Sequence, residues 1–424
     1  MKNEIRHYAL YGEEFSLHNE WLQELLKGEV VEELAELRGK KGVLLSDVVL
    51  DEFIEKDARH GRSELVQGEG RGIRTFSSGE RRKALLDHLI NQEPDFLVLD
   101  DPFASLDKKS VMQLRKRFQE LSEAIPLIQL FKRREDLLTC ISHVLFKEKE
   151  KTTIYSLSDF QKNVNRKENT KFVPVIPPAP IDYKGIPEVL VEMKNVSVKY
   201  EGKPILRNIN WKILKGEFWK LAGPNGSGKS TLLSMIYGDN PKAYGQELFL
   251  FEKKKGSGES VWEIKRKIGY FSPALTELFK RTHTAEQMLI SGLVDSVGLY
   301  QEPTEEQNKL AKDWLKTLQL TEEGNTPFIN LSLLQQRLLL VARAMIKHPP
   351  LLILDEPTTS LDEKSAILLT RLINYISERT ETAIIYVSHR HEKGLNSQFI
   401  FNLFPSENGS VGKVLNTRKN KRIN

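Results

Sequence analysis

The segment GPNGSGKS, Gly223 to Ser230, has the residue types and spacing of a loop that grips phosphate. Gly223, Gly226 and Gly228 remove side chains that would otherwise stop successive backbone N–H groups from turning inward as an anion nest. Pro224, Asn225 and Ser227 complete the loop. From Thr231 onward, TLLSMIYG continues as a helix whose N-terminus adds partial positive charge. Lys229 is then placed to reach β- and γ-phosphates, and Ser230 to offer its hydroxyl to Mg²⁺. The motif follows a short apolar run, FWKLAG, and opens a helix, which is the context it needs.

A second set of groups lies downstream. LLILDE puts Asp355 and Glu356 at the end of a buried strand, where such sheets present their ligands. Asp355 is expected to hold the magnesium through water, and Glu356 to orient or deprotonate an attacking water, a role worth about 10²–10⁴ in rate. His389, in YVSHRHE after another apolar strand, can reach the γ-phosphate. Tyr200, before the loop, can stack on adenine or serve the core as an ordinary tyrosine.

These groups need a scaffold, and the bulk of the chain limits what it can be. With 424 residues, 39% hydrophobic and 29% charged, the chain can form two or three domains with ordinary cores. One cysteine, Cys140, excludes an internal disulfide framework and fits a reducing compartment. No apolar run reaches about 18 residues, since Arg, Lys or His interrupts each candidate. MKNEIRHYAL has no apolar signal region. A net charge of +5 is weak support for an anionic partner, and the basic TRKNKR reads as a solvated tail. A cytoplasmic protein is expected, possible at the inner face of the membrane only by peripheral contact.

Between polar stretches, residues 160–187 carry VIPPAP, which cannot sit inside a helix or central strand and reads as a semi-rigid linker. Beyond it, EVLVEMKNVSVKY alternates as strands do, and EEQNKLAKDWLKTLQL has helical spacing. Residues 76–110 match residues 331–365 without a gap. The two segments share the first serine, an arginine, a proline, L-x-LD-x-P, SLD and KS. The chain is therefore a duplicated α/β unit.

GPNGSGKST, LLILDEP, SLD and the late histidine together resemble the ATP-binding cassette (ABC) ATPases, and FSSGE resembles that family's signature, usually LSGGQ. Residues 238–270 resemble most the molybdate-transport-associated tandem cassette proteins. The resemblance implies an α/β fold of two tandem P-loop NTPase cassettes, each a mainly parallel sheet flanked by helices with a helical subdomain. The expected division is a shortened, degenerate cassette at 1–159, the linker at 160–187, an intact cassette at 188–410 and the basic tail at 411–424. It also implies that two cassettes pair head to tail, with each ATP between one P-loop and the opposite signature.

Against that geometry the halves have decayed in complementary ways. Laying residues 8–26 on the P-loop region puts Gly12 on Gly223, but then Leu17 replaces the last glycine, His18 the lysine and Asn19 the serine. Asp101 stands for Glu356, and Lys132 for His389. The second half has lost only its signature, with Leu333 and Leu334 in LSLLQ. The first keeps Ser77, Ser78, Gly79 and Glu80, and also Asp107 of its SLD turn. Every surviving part belongs to one composite site, and every lost part to the other.

Two departures accompany this pattern. Ser272 stands where the family has a magnesium-sensing glutamine that couples to a permease, which puts both properties in doubt. Lys229 and Asp355 are 126 positions apart but His18 and Asp100 only 82, so the first half is either reduced to a signature donor or lacks its start. The expected activity is ATP hydrolysis with ATP and Mg²⁺ at one site, linked to transport through a membrane permease. A ribosome-binding translation factor of the tandem-cassette type and a nucleotide-sensing regulator with little turnover are the alternatives. The short proline-bearing linker disfavours the former. Its length suits a monomer whose cassettes pair within one chain, because about 28 residues span roughly 30 Å.

Overall fold

A computed structural model of the chain describes residues 5–11, 20–30, 32–60, 65, 73, 76–148, 151–163, 175–274, 279, 282–299, 301–390 and 392–416. The chain divides into two compact units, Met1–Thr170 and Lys171–Asn424.

In the first unit, strands β1 (Tyr8–Tyr11), β2 (Gly42–Leu45), β3 (Phe96–Asp100), β4 (Leu127–Leu130), β5 (His143–Glu148) and β6 (Lys151–Ser156) form one sheet in the order β2-β3-β4-β1-β5-β6. The central runs FLVLD and LIQL are, apart from Asp100 and Gln129, apolar, because both faces are covered. Leu97 and Leu99 face a core with the helices Ser78–Ile90 and Lys108–Ser122, whereas Phe96 and Val98 face one with the helix Glu20–Leu26.

The second unit adds β7 (Val189–Tyr200), β8 (Lys203–Leu214), β9 (Phe218–Ala222), β10 (Leu248–Leu250), β11 (Lys253–Lys254), β12 (Ile268–Phe271), β13 (Leu351–Asp355), β14 (Ala383–Val387), β15 (Phe399–Phe404) and β16 (Val411–Asn416). Its main sheet runs β12-β13-β14-β9-β15-β16, and a four-stranded antiparallel sheet runs β11-β10-β7-β8. Both six-stranded sheets have the same chain order, parallel throughout except for the final antiparallel pair.

The register repeats as well. Gly42 pairs with Phe96 and Ile268 with Leu351; Leu97 pairs with Leu127 and Leu352 with Ile384. Tyr8 lies between Ile128 and His143, and Trp219 between Ile385 and Phe399. Positive φ, rare for residues with a side chain, recurs at matched positions: Glu93 and His348, Asp101 and Glu356, Ser105 and Ser360. The fold is thus α/β with tandem cassette-like sheets. Among the described residues, the antiparallel sheet accompanies only the second.

Two boundaries differ from the sequence reading. The helix Leu157–Asn163 continues past 160, because Phe160 is buried with its ring 5.3 Å from Tyr11 and 6.2 Å from Phe131. Burying such a side chain stabilises by about 1.5–3 kcal/mol. At the other end the expected linker lies on the second unit: Thr317 Oγ1 donates to the Val175 carbonyl at 2.5 Å, Tyr183 donates to the Arg266 carbonyl at 3.0 Å, and Ile176 and Ile186 pack against the core. The expected tail also starts too early, since β16 occupies 411–416 as the partner of β15.

Candidate functional site

The strands β13, β14 and β9 are neighbours, so the segments leaving their C-terminal ends share one edge of the second unit's sheet. The loop after β9 turns through Gly223 (φ 150°), Gly226 (φ 74°) and Gly228 (φ 93°) before the helix Lys229–Tyr237. A Cβ on Gly223 would come within 2.7 Å of Ser227 Oγ and 3.0 Å of the Leu403 carbonyl; one on Gly228 would meet Leu206 Cδ2 at 2.6 Å. No side chain caps this helix, whereas Thr284, Thr304 and Ser332 cap theirs with capping boxes. Ser227 Oγ is buried without a hydrogen-bond partner. Lys229 Nζ donates to the Gly223 and Pro224 carbonyls, each at 2.9 Å. A cradle closed to side chains, an orphaned hydroxyl, an ammonium and a helix N-terminus with no side-chain cap fit a polyphosphate. The exposed Ser230 hydroxyl and the Asp355 carboxylate are the hard oxygen donors that Mg²⁺ takes. At the end of β7, Tyr200 is 39% exposed and its hydroxyl accepts from Asn240 Nδ2 at 2.8 Å.

At the end of β13, Asp355 is pushed up to about 6, by burial first and then by the charge of Glu356, with Lys229 opposing. Glu356 stands at φ 48°, and its N–H donates to the Val387 carbonyl of β14 at 3.0 Å. Such backbone strain persists only where the surroundings over-determine it. His389 Nδ1 lies 3.0 Å from Glu356 Oε1, and Thr359 Oγ1 donates to Oε2 at 3.3 Å. Burial acts to raise the Glu356 carboxyl, but the hydrogen bond and charge of His389, the charge of Lys229 and the Thr359 bond together hold it below its ordinary range. An ionised carboxylate only accepts, so Nδ1 carries the proton and donates. Nε2 is buried without a partner.

The first unit has an ion pair at the matched place. Asp101, at φ 42°, receives Lys132 Nζ at 3.7 Å where Glu356 receives His389. Asp100, the counterpart of Asp355, is likewise pushed up to about 6, mainly by burial. The positions aligned with the P-loop, Gly12, Leu17, His18 and Asn19, lie outside the described residues.

Both signature segments begin a helix in the same way. Ser77 caps Ser78–Ile90 through the Glu80 N–H, and Glu80 returns a bond to the Ser77 N–H at 2.7 Å; Ser332 and Gln335 do the same for Leu333–Met345. Asp107 and Asp362 each cap the next helix, through Ser110 and Ser365 at 2.8 Å. Gly79 and Leu334 differ: a Cβ on Gly79 would meet Ser110 Oγ at 2.5 Å, whereas half-buried Leu334 packs against the core. Sequence reading missed these capping roles. It also missed Lys220, Thr358, Ser388 and Glu392, polar groups in or beside apolar strands, whose placement was the available signal.

A family model described as "ABC transporter" matches residues 206–359. The ABC transporter ATP-binding protein ModF of Escherichia coli is 36% identical over 335 residues, 76% of this chain and 68% of that protein. The chain belongs to the ABC transporter ATP-binding family. An uncharacterized family member of Schizosaccharomyces pombe, C323.04, is 31% identical over 330 residues, covering 75% of this chain and 66% of that one. YlmA of Bacillus subtilis, also uncharacterized, is 35% identical over 206 residues, 48% of this chain and 78% of its own. The chain spans about two thirds of the length of the first two. As an ABC ATP-binding protein it is a nucleotide-binding member of a family that hydrolyses ATP, and among its described residues no helix is long and apolar enough to cross a membrane.

Proposed function

We propose that this ABC protein binds and hydrolyses one ATP per chain, at a composite site made by the second cassette's P-loop and the first cassette's signature. The observation that carries the reading is the matched contrast between His389 on Glu356 and Lys132 on Asp101. The first arrangement can accept a proton from water and pass hydrogen-bonding contact to a phosphate. In the second, an ammonium neutralises a shorter carboxylate.

In this reading, residues Gly223 to Thr231 hold the phosphates, with Lys229 turning from its loop carbonyls to the β- and γ-oxygens. Tyr200 stacks on adenine. Glu356, ionised beside His389, orients and deprotonates the attacking water, while His389 Nε2 faces the γ-phosphate. Ser230 and Asp355 would hold Mg²⁺, which would supply charge neutralisation at the phosphate oxygens. Ser77, Ser78, Gly79 and Glu80 close over that phosphate from the first cassette, with Asp107 in the adjoining turn. The chain divides functionally into a signature donor at the N-terminal end and a nucleotide-holding cassette after the linker, acting at the inner membrane face on a permease. Relatives named as ABC transporter ATP-binding proteins support the transport link.

Calorimetric titration tests the stoichiometry. One ATP per chain is expected, abolished by Lys229→Ala and untouched by His18→Ala. Two equivalent sites would overturn the assignment.

A further inference from the structure

The loop that carries His389 is held by bonds that the proposed reaction does not itself use. Glu392, three residues beyond His389, is 6% exposed. Its Oε1 accepts from Thr358 Oγ1 at 2.7 Å and lies 3.3 Å from Ser388 Oγ. Thr358 belongs to the turn that begins with Glu356, and its hydroxyl is 3.2 Å from that of Tyr386. From the other side, Lys220 of β9 donates to the Arg390 carbonyl at 2.7 Å, and the Arg390 N–H donates to Ser388 Oγ at 3.0 Å. One buried carboxylate therefore joins the His389 loop to the Glu356 turn. One ammonium joins the same loop to the strand that feeds the P-loop.

A buried carboxylate is costly unless hydrogen-bonded, so a fold retains one only where something requires it. The sheet does not. The first cassette builds the same sheet in the same register, and there Phe103 replaces Thr358, Phe131 replaces Ser388 and Ala9 replaces Lys220. All three replacements are buried apolar residues, and the counterpart of Glu392, Glu135, is exposed. The Thr358, Ser388 and Lys220 bonds thus accompany the Glu356–His389 pair; where Lys132 and Asp101 stand instead, the matching loop is held by Gln129, the counterpart of Tyr386, whose amide donates to the Asp136 carbonyl and accepts from the Leu138 N–H.

We propose that Glu392 is a positioning residue for ATP hydrolysis: through Thr358 and Ser388 it locks the His389 loop onto the Glu356 turn, keeping Nδ1 on the carboxylate and Nε2 aimed in one direction. The inference rests on the reading of Glu356 and His389 given above.

The test uses the full chain with Glu392→Ala, Glu392→Gln and Thr358→Val. Two quantities are read: steady-state ATP hydrolysis, and the side-chain nitrogen resonances of His389, assigned with His389→Gln. Glu392→Ala is expected to lower kcat about tenfold or more, as misplacement of a reacting group does, with KM within about twofold. The His389 Nδ1 signal should lose its hydrogen-bonded shift. Glu392→Gln keeps an acceptor oxygen and should recover most of kcat, and Thr358→Val should repeat the loss if Glu392→Ala does not fold. Unchanged His389 resonances in a folded variant, or kcat and KM moving in proportion, would overturn the proposal. A His389→Ala protein that hydrolyses at the parental rate would instead sink the catalytic reading, while the nitrogen spectra still decide the positioning.

Discussion

At the scale of single residues, two acids in sequence are driven apart by their surroundings. Burial and the neighbouring charge push Asp355 up to about 6, while His389, Lys229 and Thr359 keep Glu356 ionised. A pair separated in this way can divide roles, one as ligand and one as base. Glu356→Gln should therefore retain ATP and lose about 10²-fold or more of turnover, measured as phosphate release beside nucleotide titration. Parental turnover in that variant would remove Glu356 from the mechanism. Asp100 carries the same burial without the same chemistry. Its folded pKa, near 6 against an ordinary 3.8, means that the native state holds an extra proton between those values. Stability from that proton is fully present below 3.8 and lost as pH rises through 6, a difference of about 1–3 kcal/mol. Asp100→Asn should accordingly slow hydrogen exchange of the β3 amides at pH 8 and change it little at pH 4.

Among the elements, the two signature helices show how one local structure can be kept for different reasons. Both begin with a capping box, worth about 0.5–2 kcal/mol at the serine, so Ser77 and Ser332 persist whether or not they face a nucleotide. Gly79 has two candidate reasons: approach to a phosphate, and the Ser110 side chain 2.5 Å from where its Cβ would stand. They separate experimentally. Gly79→Asp is expected to arrest hydrolysis, by about 10²-fold or more, with ATP binding nearly intact. Adding Ser110→Gly, which clears the packing contact, should not restore it. Leu334→Asp, at the matching position of the second cassette, should cost stability but little turnover. Restoration by Ser110→Gly, or equal effects at 79 and 334, would assign Gly79 to packing alone.

For the molecule as a whole, the decisive question is which chains would supply the two halves of the proposed site. Residues 175–186 are fastened to the second cassette through Thr317, Arg266 and its core, and Phe160 belongs to the first. The 28 residues of 160–187 are therefore not all tether, and a short connection raises the effective concentration of one cassette at the other. Specific activity is expected to stay constant on dilution. Mixing Lys229→Ala chains with Gly79→Asp chains should recover no activity; recovery would show that the site forms between two chains.

Local chemistry in the sequence determined much of this protein. The glycine spacing from Gly223 to Gly228 matches positive φ at all three glycines and close approach at Gly223 and Gly228. The gapless match of 76–110 with 331–365 likewise fixed paired strand–turn–helix units, down to the strained Asp101 and Glu356. Sequence could not decide groups that meet across strands. Thr358 and Glu392 are 34 positions apart, and Lys220 and Arg390 170, so no period or spacing announces their bonds. Nor could the proline pattern show where the linker ends, because residue types that exclude helix and sheet still allow a chain to lie against a core. Only the packed β9, β13 and β14 bring Gly223, Glu356 and His389 to one edge, since the parallel order of those strands places their C-terminal ends side by side.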